Sequence, residues 1–204
     1  ASVDGNGSAS IEGSTLTVIP SADFNGDINI SVKVTDSGGL SDSKTFVLTV
    51  NPINDSPIIE PLDNQEIDED TSLELSLSAS DIDGDLLTFS ASVDGNADVE
   101  VNDNILSIVP FADFNGSLTI LVTVSDGNLE DSTSFTVSVN PVNDPPTLSE
   151  LSDVSVEEDG TYTLELIAGD IDGDPLTFEA SVDGNGSASI EGSTLTVIPS
   201  ADFN

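Results

Sequence analysis

Residues 1–25 read ASVDGNGSASIEGSTLTVIPSADFN, and the same letters return unchanged as residues 180–204. A diverged version, ASVDGNADVEVNDNILSIVPFADFN, occupies residues 91–115 between them. Self-similarity at a fixed spacing is the signature of a repeat architecture, in which each repeat is one folding unit. The repeat therefore decides how the rest of the chain is divided.

Two shorter motifs give the length of the repeat. NPIND at Asn51–Asp55 returns 89 residues later as NPVND at Asn140–Asp144, and DIDGD at Asp81–Asp85 returns with the same spacing at Asp170–Asp174. These spacings predict the C-terminal part of one repeat at 1–52, a complete repeat at 56–141 and the N-terminal part of the next at 145–204. The chain thus has the form of a window on a longer array.

Hydrophobic alternation within the complete repeat predicts strands. Apolar residues occupy every second position over the runs 73–79, 87–93, 99–101, 106–108, 118–124 and 135–139. Such alternation buries one face of each strand. With a first strand near Leu62–Ile67, about seven strands fit in one repeat, and no stretch has a helical period. The sequence predicts an all-β fold of tandem immunoglobulin-like or cadherin-like Greek-key β-sandwich repeats.

The charge of the chain is extreme. Asp and Glu number 39 against 2 Lys and Arg, for a formal net charge of −37, and there is no Cys or His. So many carboxylates repel one another unless a counter-charge is present, and Lys33 and Lys44 do not supply it. The same charge argues against nucleic acid as a partner, and no apolar run approaches the ~20 residues of a membrane helix, so we expect no membrane insertion.

The carboxylates gather in turns rather than spreading over the strands. Ca²⁺ takes about six to eight oxygen ligands, which Asp and Asn in turns supply without His or thiol groups. An EF-hand is excluded, because the sixth and twelfth positions counted from Asp81 hold Leu86 and Ser92 instead of Gly and Glu. A solvated acidic turn remains the alternative for DIDGD. ADFN also fits a turn in which Phe114 fills the core, and VDGN at Asp94–Asn96 predicts a hairpin turn without a ligand role.

Together these motifs resemble the cadherin-like repeats of giant bacterial surface proteins of the VCBS/RTX-adhesin type, over the whole chain. The resemblance implies Ca²⁺ as cofactor, bound where one repeat follows another. It places one junction on Asp23, Asn25, Asn51, Asn54, Asp55, Asp81, Asp83 and Asp126. It places the next on Glu69 or Asp70, with Asp113, Asn140, Asn143, Asp144, Asp170 and Asp172. Cadherins have Asp-Arg-Glu where this chain has Asp-Phe-Asn at 113–115, so fewer or weaker ions are expected.

The resemblance and the composition together favour a structural role. The leading hypothesis is a calcium-rigidified stalk or extracellular fibre of a secreted bacterial surface protein, whose partners are neighbouring repeats and copies of itself. The alternative is an adhesive module that itself binds glycans or partner-cell surface proteins. Catalysis is not expected, because the chain has no His, no Cys and no polar cluster outside the repeat pattern.

Overall fold

The computed structural model describes residues 1–201, and within them the backbone forms β-strands joined by turns, with no helix. No helix in that range is therefore long and apolar enough to cross a membrane. The last positions of the predicted third segment, 202–204, lie outside the described residues. The prediction of an all-β chain is confirmed.

The first segment, residues 1–52, forms two small antiparallel sheets. One sheet has the order β1-β4-β5 and the other pairs β2 with β3. Their bounds are β1 Ser2–Val3, β2 Gly7–Glu12, β3 Thr15–Pro20, β4 Gly26–Thr35 and β5 Ser41–Val50. The long β4–β5 hairpin pairs over its whole length, from Gly26 opposite Val50 to Thr35 opposite Ser41.

The complete repeat forms a four-stranded sheet of order β10-β13-β14-β7, a three-stranded sheet of order β11-β12-β8 and the short pair β6-β9. Its first strands are β6 Ile58–Ile59, β7 Gln65–Asp68, β8 Leu73–Ser76 and β9 Ala79–Ser80. They are followed by β10 Thr88–Val93, β11 Ala97–Asn102, β12 Ile105–Pro110, β13 Gly116–Ser125 and β14 Glu130–Asn140.

The third segment contains β15 Thr147–Leu148, β16 Tyr162–Glu165, β17 Ala168–Gly169, β18 Gly186–Glu191 and β19 Thr194–Pro199. Strand β15 pairs with β17, and β16-β19-β18 form a three-stranded sheet. Tyr162 lies opposite Val197 in this sheet, and Glu165 lies opposite Thr194.

The core of the complete repeat follows the predicted alternation. Ile120 is fully buried in β13, while the next residue, Leu121, is 44% exposed on the opposite face. The buried side chains share inward positions on β12, β13 and β14: Leu106, Ile108, Leu118, Ile120, Val122, Val124, Phe135, Val137 and Val139. Burial of this apolar area is the main favourable contribution to folding.

Two predicted strands differ from those in the structure, one of them because the backbone changes partner. The run at 73–79 divides into β8, which pairs with β12, and β9, which pairs with β6. Between them Leu77 is buried, and its backbone N–H donates to the carbonyl of Asn104 at 2.7 Å. The strand expected near Leu62–Ile67 begins later than predicted: residues 62–64 are in no strand, and β7 covers Gln65–Asp68.

The prediction of a hairpin at Asp94–Asn96 is wrong. Strands β10 and β11 on either side belong to different sheets, so the turn carries the backbone from one sheet to the other. Asp94 Oδ1 accepts from the N–H of Thr119 at 3.1 Å, and the Asp94 N–H donates to the Thr119 carbonyl at 3.3 Å. These bonds attach the turn to β13 and leave β11 free to join β12.

The chain divides into two compact units. One holds residues 1–65, 72–109 and 118–137, and the other holds 66–71, 110–117 and the residues from 138 onward. All the residues predicted for the first junction lie in the first unit, and all those predicted for the second lie in the second unit. Each candidate site is therefore contained in one compact unit.

We expect Ile120→Ala to lower the free energy of unfolding by roughly 2–5 kcal/mol, because it leaves a cavity in a close-packed core. Leu121→Ala is the matched control, since the neighbouring side chain lies on the exposed face of the same strand. Urea denaturation followed by circular dichroism measures both. Equal losses in the two variants would contradict the assignment of the buried face.

Candidate metal centre

The linkers between repeats are Asn51–Asp55 and Asn140–Asp144. The same hydrogen bond joins each linker to the DIDGD turn that follows it. At the first, the backbone N–H of Asp55 donates to Asp83 Oδ2 at 2.8 Å. At the second, the backbone N–H of Asp144 donates to Asp172 Oδ2 at 2.7 Å. The sequence repeat is thus matched by a repeated contact, which places the linker aspartate beside the middle carboxylate of the turn.

Asn54 in the first linker contacts Asp126, the aspartate that follows β13. Asn54 donates its side-chain amide to Asp126 Oδ2 at 2.8 Å and to the carbonyl of Asp55 at 3.0 Å. The other oxygen of Asp126 accepts from the backbone N–H of Leu129 at 2.7 Å. The Leu129 bond first, and the Asn54 bond second, lower the pKa of Asp126 below its usual value. Asp126 therefore remains a carboxylate held in one orientation.

The DIDGD turn is closed by its own first residue. Asp81 Oδ1 accepts from the backbone N–H groups of Asp83 and Asp85 at 2.9 and 3.2 Å. Asp81 Oδ2 is buried and has no hydrogen-bond partner among the described residues. Asp81, Asp83 and Asp85 each offer an oxygen within 4.8 Å of the others. A buried carboxylate oxygen without a donor, in a group of three acids, is a site that fits a cation.

A cleft of about 280 Å³ brings together most of the other residues predicted for this junction. Its lining includes Asp23, Asn25, Asn51, Asp55 and Asp83. An adjoining cleft is lined by Asp23, Asp55 and Asp81. Asp23 has a positive φ of 57°, a conformation that Asp tolerates better than most residues.

The buried acid of the second junction is Glu69, which is 3% exposed. Its Oε1 accepts from the backbone N–H of Val142 at 2.6 Å, and its Oε2 accepts from the amide of Asn115 at 3.3 Å. The Glu69 N–H donates to the carbonyl of Asn140 at 2.9 Å. A buried charged side chain needs such partners, and these bonds connect it to the linker and the ADFN turn.

Two groups of three carboxylates meet at Asp144. Glu69, Asp144 and Asp172 each offer an oxygen within 4.8 Å of the others, and so do Asp70, Asp113 and Asp144. The backbone N–H of Asp113 donates to Asp70 Oδ1 at 3.1 Å, which fixes the ADFN turn beside Asp70. The sequence left Glu69 and Asp70 as alternatives, whereas the structure brings both to Asp144.

The close approach of these acids changes the ionisation of Asp144. Burial first, and then the charges of Asp113, Asp70, Asp172 and Glu69, raise the pKa of Asp144 above its usual value. Like charges at this distance disfavour the ionised form, and a bound cation reverses that effect. Asp144 is therefore the residue whose charge most directly reports on a cation at this site.

The remaining predicted residues have other partners. The amide of Asn140 donates to Glu66 Oε1 at 2.9 Å, and that of Asn143 donates to the carbonyl of Asp144 at 3.1 Å. Asp170 Oδ1 accepts from the backbone N–H of Asp174 at 3.1 Å, which closes the second DIDGD turn. Asp85 belongs to an acid group but was not among the predicted ligands. Its place as the third aspartate of the repeated DIDGD motif could have identified it as a candidate ligand.

Comparison with known proteins identifies a family. The model of the family described as Bacterial Ig domain matches residues 54–140 and 143–204. Chitinase A of Pseudoalteromonas piscicida is 31% identical over 144 residues, which is 69% of this chain and 17% of that protein. The chain therefore spans less than a fifth of the length of this relative.

Solved structures of low sequence identity align with the chain. An endo-fucoidan hydrolase from glycoside hydrolase family 107 aligns at 19% identity with a TM-score of 0.37, over 98% of this chain and 34% of its own. Drosophila N-cadherin EC1-3 aligns at 13% identity with a TM-score of 0.38, over 66% of this chain and 51% of its own.

Without divalent metal, we expect Asp144→Asn to stabilise the protein at neutral pH, because it removes one charge from a group of mutually repelling carboxylates. In the unaltered chain the folded state binds the Asp144 proton more tightly than the unfolded state, so stability falls as pH rises. This destabilisation is relieved as pH falls through the raised pKa and is absent below the usual value of 3.8.

Thermal melts in EDTA between about pH 4 and pH 7 measure this difference, since carboxyl groups titrate in and just below this range. Asp153→Asn is the matched control, because Asp153 is exposed and is not in the acid groups. The melting temperature of Asp144→Asn should depend less on pH than that of the unaltered chain. An unchanged pH slope would contradict the raised pKa.

Proposed function

The chain belongs to the bacterial Ig domain family, and we propose that it is a calcium-stiffened spacer within a large extracellular bacterial protein, of the adhesin type that its repeats resemble. The observation that carries this proposal is the repeated contact of Asp55 with Asp83 and of Asp144 with Asp172, with further carboxylates packed around it. The partners would be neighbouring repeats of the same chain, and the location would be the cell surface.

The residues present fit a cation that prefers oxygen ligands, such as Ca²⁺. The donor set consists of carboxylate, amide and carbonyl oxygens, with no His or Cys in the chain. Bound Ca²⁺ would supply positive charge and oxygen coordination, which let neighbouring carboxylates stay ionised at short distance. Asp144 lies in the linker, Glu69, Asp70 and Asp113 precede it, and Asp172 follows it in the next repeat. One site would thus hold three successive parts of the chain together.

Two features of the sequence support a mechanical role for that site. Prolines restrict φ in both linkers, which lowers their flexibility before any ligand binds; they are Pro52, Pro57, Pro141, Pro145 and Pro146. The block at residues 1–25 also returns unchanged at 180–204, and a specific binding site would need only one copy of it. A spacer gains length from every copy.

We expect calcium to raise the melting temperature by roughly 5–15 °C over EDTA, at a concentration a hundred to a thousand times its dissociation constant. Small-angle scattering of the same samples should give a longer maximum dimension in calcium, because the linkers would be held straight. Magnesium at equal concentration is the control for simple charge screening. An equal effect of both ions, or none, would contradict the proposal.

The variant Asp144→Asn separates calcium binding from charge repulsion, because its two expected effects have opposite signs. It should stabilise the protein in EDTA, as argued above, and should remove a substantial part of the stabilisation that calcium provides. Asp153→Asn should change neither quantity. Stabilisation by calcium that is intact in Asp144→Asn would place the ion elsewhere.

A second candidate function is glycan binding, as an accessory module of a polysaccharide-degrading enzyme. It is favoured by the similarity to chitinase A and by Phe111, which is 49% exposed in the complete repeat. Exposed aromatic rings offer large contact area to ligands. The same repeat position holds Ser21 and Ser200 in the other segments, so only the complete repeat would present the ring.

If the chain binds glycans, it should sediment with chitin beads, and Phe111→Ser should abolish the binding without changing the melting temperature. The replacement is the residue that the other two repeats carry at this position. Cellulose beads are the control for non-specific adsorption. Retention by neither material would leave the spacer function as the sole candidate.

A further inference from the structure

The second linker ends in a peptide bond that the first linker lacks. Asp144 is followed by Pro145, whereas Asp55 at the same repeat position is followed by Ser56. Proline makes the bond before it a tertiary amide, whose nitrogen carries no hydrogen. That nitrogen is more basic than an ordinary peptide nitrogen, so it leaves more readily once it takes up a proton. The aspartate carboxylate can reach its own carbonyl carbon, so the Asp144–Pro145 bond combines an internal nucleophile with a good leaving group.

The carbonyl oxygen of this bond already has a hydrogen-bond donor. The side-chain amide of Asn143 donates to the Asp144 carbonyl oxygen at 3.1 Å. Attack on the carbonyl carbon moves negative charge onto this oxygen, and a donor that is already in place stabilises that charge. Asn143 therefore lies where a group that stabilises the oxyanion is needed.

The surroundings of Asp144 disfavour negative charge on its side chain. Glu69, Asp113 and Asp172 each offer an oxygen within 4.8 Å of one from Asp144. Like charges at this distance repel one another. Attack by the Asp144 carboxylate takes charge away from these acids and transfers it to the carbonyl oxygen, beside the Asn143 amide. The crowding of the acids and the position of the amide therefore favour the same step.

We propose that the protein cleaves its own backbone at the Asp144–Pro145 bond. A carboxylate oxygen of Asp144 bonds to the Asp144 carbonyl carbon, and the bond from that carbon to the Pro145 nitrogen breaks as the nitrogen takes a proton from the solvent. Water then opens the resulting cyclic anhydride, which restores the side-chain carboxyl group and leaves a free α-carboxyl group on Asp144. The net reaction is hydrolysis of one peptide bond, and it separates the complete repeat from the segment that begins at Pro145. It requires no bound ion, so it is independent of the proposed calcium site.

The chain contains an internal reference, because Asp174–Pro175 joins the same two residue types. Asp174 is exposed and belongs to none of the acid groups that the described residues form. In the described part of the chain its backbone N–H donates to Asp170 Oδ1 at 3.1 Å, and no side-chain amide donates to its carbonyl oxygen. A difference between the cleavage rates of the two bonds therefore measures the effect of the surroundings of Asp144.

Mass spectrometry of the full 204-residue chain, warmed in EDTA at one fixed and mildly acidic pH, measures cleavage at both bonds. We expect cleavage after Asp144 to be at least roughly tenfold faster than cleavage after Asp174, because only the first bond has an oxyanion donor. Pro145→Ser, which installs the residue of the first linker, should abolish cleavage after Asp144 and leave cleavage after Asp174 unchanged. Equal rates at the two bonds of the unaltered chain would overturn the proposal.

The role of the amide is tested with variants in both linkers. Asn143→Ala should slow cleavage after Asp144 by at least roughly tenfold relative to the Asp174 bond of the same molecule, because it removes the donor. Asn54→Ala is the matched control, since the Asn54 amide makes the same contact with the Asp55 carbonyl at 3.0 Å and should leave that ratio unchanged. Ser56→Pro should create cleavage after Asp55 that is faster than at the Asp174 bond. A ratio unchanged by Asn143→Ala, or cleavage after Asp55 no faster than at the Asp174 bond, would overturn the role assigned to the amide.

Discussion

The contact on which both candidate sites depend is a single hydrogen bond, from the backbone N–H of the linker aspartate to the middle carboxylate of the DIDGD turn. A backbone donor cannot be lost by substitution at that position, other than by proline, so the contact is built into the path of the chain. At the second junction it places Asp144 next to Asp172 of the turn and within 4.8 Å of Glu69 and Asp70. The carboxylate groups follow from that placement.

The same arrangement opposes stability when no cation is bound. Around Asp144 the protein brings together more negative charge than its hydrogen bonds neutralise, and the raised pKa of that residue is the physical expression of the imbalance. Around Asp126 the balance is reversed, because hydrogen bonds from the Leu129 backbone and then from the Asn54 amide lower the pKa of Asp126. Asp126 is thus stabilised as a carboxylate by the chain itself, whereas Asp144 is stabilised by a proton or, under the proposed function, by a cation.

Alternation along β12, β13 and β14 predicted the all-β class and the buried residues, because burial of one strand face is a local property of the sequence. The spacing of the linker and DIDGD motifs also predicted which acids to consider. The sequence did not predict which strands pair with each other or which side chains meet. Asp94 looked like part of a hairpin, but its bonds to Thr119 direct the backbone into the other sheet. The sequence left Glu69 and Asp70 as alternatives, and only the fold shows that both lie near Asp144.

The strongest evidence for the role of partners comes from identical letters in different structures. Ser2 and Val3 form a strand because β4 lies beside them, whereas Ser181 and Val182, in the same sequence context on their C-terminal side, are not in a strand. Intrinsic β-propensity is the same in both places, so tertiary pairing alone makes the difference. The sequence of these repeats therefore determines which residues are able to form a strand, and the pairing partner determines whether they do. Within a folded array the nearest neighbour along the chain is the partner, because it has the highest effective concentration.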